Sequence, residues 1–239
     1  MAKYVLAFDI YGTLLDTSSI SKALMEHLQL DKDNTAQVSA LWRRYQLEYT
    51  WRLNSMNVYK PFDIVTKKAL QHALKESGIR FDDDSIRRLM DAYNVLPCFP
   101  DAEHALRELT SNGKAKIVVF SNGTQSMVQT ALSAAGLTNM TPNIYVADAV
   151  GRYKPTPEIY RGLLQSVGKE GHPKECCLVS GNPFDVTGAI AQGMRAIWVD
   201  RAGKGWADGI LPIHSSSEFE AMKIVHSLQE IPELVSSFE

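Results

Sequence analysis

Residues 4–14 read Tyr4-Val5-Leu6-Ala7-Phe8-Asp9-Ile10-Tyr11-Gly12-Thr13-Leu14. A short apolar run stopped by an acid and a glycine-containing turn predicts a strand over Tyr4–Phe8, closed by Asp9-Ile10-Tyr11-Gly12-Thr13. No second strand signal appears until about Lys114. Four helical stretches follow the first strand, Ser18–Leu28, Ala36–Met56, Pro61–Ser77 and Asp83–Val95. In the second, Val38, Leu41, Tyr45, Tyr49, Leu53 and Met56 recur at helical spacing. Gly78 is placed to end the third.

From Phe99 onward short apolar runs alternate with helices. Strands are predicted over Ala115–Phe120, Asn143–Val146, Cys176–Val179 and Ala196–Val199. Helices are predicted over Asp101–Asn112, Gln125–Ala135, Pro157–Val167, Val186–Gln192 and Ser217–Leu228. Such alternation with short links builds right-handed βαβ units and a parallel sheet. The expected fold is α/β: a Rossmann-like parallel-sheet core, residues 1–16 and 98–239, with an inserted helical cap, residues 17–97. The cap would sit over the carboxyl ends of the strands, where open α/β sheets place their ligands. The stretch Leu96-Pro97-Cys98-Phe99-Pro100 reads as the return to the core. The loop Asp200–Ser216 carries no element signal.

A chain of 239 residues can bury one such core and an accessory layer. With 25 basic and 27 acidic residues the formal net charge is −2, so no global basic field draws nucleic acid or anionic lipid. No apolar run approaches the ~20 residues that cross a bilayer. The apolar part of Met1–Phe8 is too short for a signal peptide, and a cytoplasmic setting is expected. Cys98, Cys176 and Cys177 show no metal-ligand spacing, and Cys176-Cys177 open a buried strand. The histidines are scattered, which leaves a His-based metal site or a Ser-His-Asp triad little support.

The chemistry lies just after the strands. Asp9 follows the first, Ser121-Asn122-Gly123 the second, and Ser180-Gly181-Asn182 with Asp185 the fourth. Lys154 stands in the loop before the helix that begins near Pro157. Helix starts near Thr124 and Pro183 would aim free N–H groups at the same place. Singly, each has a plainer reading: Asp9 and Asp185 as helix caps, Ser121-Asn122-Gly123 as a turn, Lys154 as a solvated charge. Together, at one edge of one sheet, they form a site.

Phe8-Asp9-Ile10-Tyr11-Gly12-Thr13-Leu14 resembles the first motif of the haloacid dehalogenase superfamily, in which the Asp is a nucleophile. Ser121-Asn122-Gly123, Tyr153-Lys154-Pro155 and Ser180-Gly181-Asn182-Pro183-Phe184-Asp185 match its second, third and fourth motifs, in order and over essentially the whole chain. Phosphatases of that superfamily use Mg²⁺ and a second Asp two residues after the nucleophile, which protonates a poor leaving group. Tyr11 occupies that position here. They also hold the metal with an Asp where this chain has Gly181. A halide needs neither proton nor metal to leave.

Leu41-Trp42-Arg43-Arg44-Tyr45-Gln46-Leu47-Glu48-Tyr49-Thr50-Trp51 is similar to the cap helix of the type II (S)-2-haloacid dehalogenases. The resemblance implies that Arg43 faces the halide and that Leu47, Phe62 and Phe184 line an apolar pocket; Arg43 and Leu47, four apart, share a helix face. It implies that Asp9 attacks C2 of a small 2-haloacid with inversion, forming an aspartyl ester. Arg43 and Asn122, with Phe184, would cradle the halide. Ser121 and N–H groups near Tyr11 would hold the substrate carboxylate. Lys154 would balance Asp9 and later the ester oxygen, and Thr13 would bond the carboxylate or oxyanion. Asp185, with Ser180 and Asn182 positioning it and a water, would hydrolyse the ester. Tyr160 matches a family Tyr one turn into the helix after Lys154. The implied enzyme needs no metal or other cofactor and commonly pairs as a homodimer. Gly181, where the family usually has Ser, and Pro183 depart from the pattern. The alternatives are a superfamily phosphatase with unusual metal ligation, a fluoroacetate dehalogenase with a similar cap, and a catalytically idle binding protein that kept the fold.

Overall fold

The computed structural model of the chain describes residues 3–210 and 222–237. Strand β1 (Tyr4–Phe8) is buried along its whole length. It pairs in parallel with β2 (Ala115–Ser121) on one side and β4 (Cys176–Ser180) on the other, with Phe8 opposite both Val119 and Val179. The sheet continues outward through β3 (Ile144–Val146) and, at the other edge, β5 (Arg195–Val199) and β6 (Met222–Val225), in the order β3-β2-β1-β4-β5-β6. The chain leaves β1 toward β2 and β3, then crosses back to lay β4 on the far side. The strand order therefore reverses between β1 and β4, and adjacent loops part there to open a crevice at the carboxyl ends. Asp9 is the first residue beyond β1 at that crevice.

Four helices follow β1 and form the inserted block: α1 (Ile20–Leu28), α2 (Lys32–Ser55), α3 (Phe62–Glu76) and α4 (Asp83–Tyr93). α2 packs on α3, and α1 on α4. Trp42 on α2 is buried and donates its indole N–H to the Thr66 carbonyl at 2.9 Å. The chain enters and leaves this block side by side: Asp16 N–H bonds to Pro97 O, Phe99 N–H to Leu14 O, and Leu15 pairs with Cys98 in an isolated antiparallel bridge. Among the described residues the remaining α-helices are α5 (Ala102–Asn112), α6 (Gln125–Ala134), α7 (Pro157–Ser166), α8 (Pro183–Ala191) and α9 (Ile231–Ser236). No helix among the described residues is long and apolar enough to cross a membrane.

The predicted elements recur in order, with ends moved by capping. α2 starts at Lys32 rather than Ala36 because the Asp31 side chain accepts the Asn34 N–H at 2.8 Å. α8 starts at Pro183 rather than Val186, since proline's fixed φ suits the first helical turn. The helix expected over Ser217–Leu228 is corrected. Its first part, 217–221, lies outside the described residues, but Met222–Val225 is a strand parallel to β5. Met222 and Val225 are buried against the sheet, and pairing with a distant strand overrides the local helical pattern.

Candidate active site

The turn after β1 is built to present a carboxylate. The N–H groups of Thr13, Leu14 and Leu15 all point at Ile10 O, and Gly12 takes φ +84°, a conformation suited to glycine. Arg201 steadies the turn from outside by donating to Thr13 O at 2.9 Å while paired with Asp101. Asp9 is only 6% exposed. Its Oδ2 accepts from Thr13 Oγ1 and Asn182 Nδ2, both at 2.8 Å, and its Oδ1 accepts from Lys154 Nζ at 3.1 Å.

Lys154, 1% exposed, uses its whole ammonium. Besides Asp9 it donates to Asp185 Oδ2 at 2.7 Å and to the Phe120 carbonyl at 2.8 Å. Asp185 is fully buried, and its other oxygen accepts from Tyr160 OH at 2.7 Å. Burial pushes the Asp185 carboxyl above its ordinary value; Lys154 opposes that, and the nearby Asp9 charge adds to it. Burial, reinforced by Asp185, pushes the Tyr160 phenol well up, so it stays a neutral donor.

Arg43 reaches the same point from α2, donating to Asn182 Oδ1 at 2.9 Å. It also walls a cavity of about 300 Å³ shared with Ile20, Ser39, Trp42 and Tyr93. Asn122 Oδ1 accepts the Lys154 backbone N–H at 2.9 Å, and its own NH₂ has no partner among the described residues. Phe62, the buried first residue of α3, lies with its ring 6.0 Å from that of Tyr11. Phe184 is half-buried, edge-on to Trp51 at 5.7 Å. Leu47 is half-buried one turn beyond Arg43.

The structure thus gathers Asp9, Tyr11, Thr13, Arg43, Asn122, Lys154, Tyr160, Asn182 and Asp185, but it reassigns some expected contacts. The Asn182 side chain does not bond the Asp185 carboxylate: it holds Asp9, the Tyr11 carbonyl and Arg43, and only the Asn182 backbone carbonyl meets Asp185, accepting its N–H at 3.1 Å. Ser180 Oγ accepts the Asn182 N–H at 3.1 Å and shapes its own loop. Ser121 Oγ likewise accepts from Gly123 N–H, which leaves its hydroxyl hydrogen to donate. Of the N–H groups near Tyr11, those of Gly12 and Thr13 are consumed inside the turn.

Sequence reasoning missed Tyr93, which stacks on Tyr11 with ring centroids 5.3 Å apart and donates to Gln46 at 3.4 Å. Its spacing on α4 is that of an ordinary core residue. The Tyr11 hydroxyl is buried without a partner among the described residues, an unpaired donor in the site.

Gly181 is explained by crowding. A Cβ there would lie 2.5 Å from the Gly12 carbonyl oxygen, and the Gly181 N–H bonds to Thr13 Oγ1 at 2.9 Å. Any side chain at 181 must push the turn after β1 away. Gly181→Ser is therefore expected to lose about 1–3 kcal/mol of stability, read by urea denaturation. Unchanged stability would mean that the two loops part freely.

Residues 5–193 match the haloacid dehalogenase-like hydrolase family. The chain is 33% identical over 228 residues to (S)-2-haloacid dehalogenase 1 of Pseudomonas sp. (strain CBS-3), covering 95% of this chain and 94% of that one. It is 34% identical to (S)-2-haloacid dehalogenase 4A of Burkholderia cepacia, covering 95% and 91%. The solved L-2-haloacid dehalogenase of Xanthobacter autotrophicus with chloropropionic acid covalently bound is 29% identical and superposes with a TM-score of 0.83, covering 100% of both chains. With a buried carboxylate held at the switch point of a parallel sheet, the chain belongs to the haloacid dehalogenase-like hydrolases. Within that family it falls in the (S)-2-haloacid dehalogenase branch.

Proposed function

We propose that the chain hydrolyses small (S)-2-haloalkanoic acids to (R)-2-hydroxyacids through an ester on Asp9. The observation that carries this reading is the setting of Asp9. Its carboxylate is aligned by Thr13, Asn182 and Lys154, while Tyr11 and a sterically closed Gly181 stand where a phosphatase needs its acid and metal ligand. No group of three His, Cys, Asp or Glu side chains among the described residues is placed to hold a metal ion.

An Asp9 oxygen attacks C2 in line as the carbon–halogen bond breaks, and the halide leaves with the bonding pair. Arg43 and the free amide of Asn122 receive it, with Phe184 alongside. The Ser121 hydroxyl and the unpaired Tyr11 hydroxyl are donors for the substrate carboxylate. Leu47 and Phe62 flank the alkyl group. Water then adds to the Asp9 carbonyl carbon and gives its proton to Asp185, whose raised pKa suits a base. Lys154 and Thr13 stabilise the oxyanion, and as it collapses Asp185 returns the proton to the departing alkoxide, which leaves as the 2-hydroxyacid. Tyr160 orients Asp185. Ser180 and Asn182 act one step back, by shaping the fourth-motif loop and aligning Asp9.

The same proposal divides the chain into a core, 1–16 and 98–239, and a cap, 17–97, the Leu15–Cys98 bridge marking the neck. It includes a cytoplasmic setting, consistent with three unpaired cysteines, and a homodimer, for which Trp51, Met56 and Ile64 expose apolar surface. The test is halide release from (S)-2-chloropropionate with and without EDTA, beside a phosphomonoester assay with Mg²⁺. Chloride release indifferent to EDTA is expected. Mg²⁺-dependent phosphate release without dehalogenation overturns the reading. A single turnover in ¹⁸O water should label Asp9 before the product.

A further inference from the structure

Asn54 lies in the last turn of α2, 99 positions before Tyr153, yet its side chain grips that residue's backbone from both sides. Its Nδ2 donates to Tyr153 O at 2.9 Å and its Oδ1 accepts from Tyr153 N–H at 3.0 Å. An amide side chain used this way replaces a strand partner and fixes one peptide unit on each side of the residue. The next N–H, that of Lys154, is taken by Asn122 Oδ1 at 2.9 Å. The backbone that launches Lys154 is therefore held by two amides, one from the helical block and one from the sheet.

Two further bonds hold the same neighbourhood without touching the Lys154 backbone. Tyr153 OH donates to Lys60 O, and Tyr59 OH donates to Asp148. Lys154 itself spans Asp9 at 3.1 Å and Asp185 at 2.7 Å, so a small swing of its backbone lengthens one contact or the other. Orienting groups at this tolerance are where displacements from outside a site cost rate.

We propose that Asn54 is a positioning residue for the reaction, coupling the seating of the helical block to the placement of the Lys154 ammonium between Asp9 and Asp185. The inference rests on the dehalogenase reading given above. When Asn54 lets go, the ammonium drifts from the fully buried Asp185. Asp185 then loses the group that opposes its burial, and its carboxyl holds a proton to higher pH.

The experiment compares wild type, Asn54→Ala, Asn54→Ser and Tyr59→Phe, with (S)-2-chloropropionate as substrate. Asn54→Ala is expected to lower kcat about tenfold with KM within about twofold, and to move the acid limb of the kcat–pH profile upward. Asn54→Ser, which keeps one short hydrogen-bonding arm, should fall between. Tyr59→Phe removes a neighbouring contact and should change neither kcat nor profile appreciably. Hydrogen exchange across residues 150–156 gives a reading that needs no turnover: protection should drop in Asn54→Ala and persist in Tyr59→Phe. Wild-type kcat and profile in Asn54→Ala, or the same loss with an unmoved profile in both variants, overturns the proposal. Absence of wild-type halide release refutes the dehalogenase reading instead, and unchanged exchange in Asn54→Ala would still refute the clamp.

Discussion

Asp9→Asn is expected to abolish halide release, by about 10⁴-fold or more, while leaving the fold as stable as wild type. An amide has no anionic oxygen to displace a halide, so no ester forms and mass spectrometry should find no covalent adduct after incubation with substrate. Stability should hold for an electrostatic reason. In the wild type, two carboxylates, Asp9 and Asp185, share the single ammonium of Lys154 in a buried space. The substitution leaves a one-to-one pair between Lys154 and Asp185 and removes the like charge that pushes the Asp185 carboxyl upward. The amide's NH₂ must face Lys154, because Thr13 and Asn182 both donate to the other oxygen and would meet a second donor. That lost contact costs about 1 kcal/mol, which relief of the like-charge repulsion offsets. A variant that releases halide at a comparable rate would end the role of Asp9 as nucleophile. A variant that unfolds would show that the carboxylate is structural.

What could be read from the sequence depended on how local the cause was. β1 and the acid that ends it are legible because a five-residue apolar run has one good use in an α/β core, and the next polar residue is forced to the strand's edge. The helical block is legible from the 3.6-residue period, and its status as an insertion from the distance between the first two strands. The loops after β2 and β4 were placed by the same reasoning, and Ser121, Asn122, Ser180 and Asn182 do lie at that edge. Strand β6 was not legible. Met222–Val225 sits in a stretch with helical periodicity and becomes a strand through its register with β5.

Within the site, residue types were easier to foresee than partners. A carboxylate and an ammonium in loops at one sheet edge predict the Asp9–Lys154 pair, whereas the second contact of that ammonium, with Asp185, carries no sequence signal. The direction of the Asn182 side chain followed from something no motif encodes: Gly181 packs so tightly on Gly12 O that the loop turns its amide toward Asp9 and Arg43. Ser180 and Asn182 were therefore expected on Asp185 and found elsewhere. Asn54 and Tyr93 carried no local signal, because their contacts come from helices laid across the crevice.

Lys154→Met should be the most destabilising single change in the site, reducing turnover by about 10³-fold or more and stability near neutral pH by about 3–5 kcal/mol. The methionine fills much of the volume, so the loss is electrostatic. Asp9 and Asp185 are left side by side in a buried space with no cation between them, and Phe120 O loses its donor. The pH dependence separates this cause from a packing defect. Burial already raises the Asp185 carboxyl in the folded protein, and Lys154 is the largest influence lowering it, so its removal raises that carboxyl further. A carboxyl whose folded pKa lies above its unfolded value binds its proton more tightly in the native state. Its contribution to stability is full below the unfolded value and is lost as pH rises through the folded one. The stability deficit of Lys154→Met should accordingly shrink as pH falls from about 7 toward the ordinary carboxylate range near about 4. Urea denaturation of both proteins across that window measures it. A deficit that stays constant with pH would assign the damage to packing and remove Lys154 from its place as the charge that lets two buried carboxylates coexist.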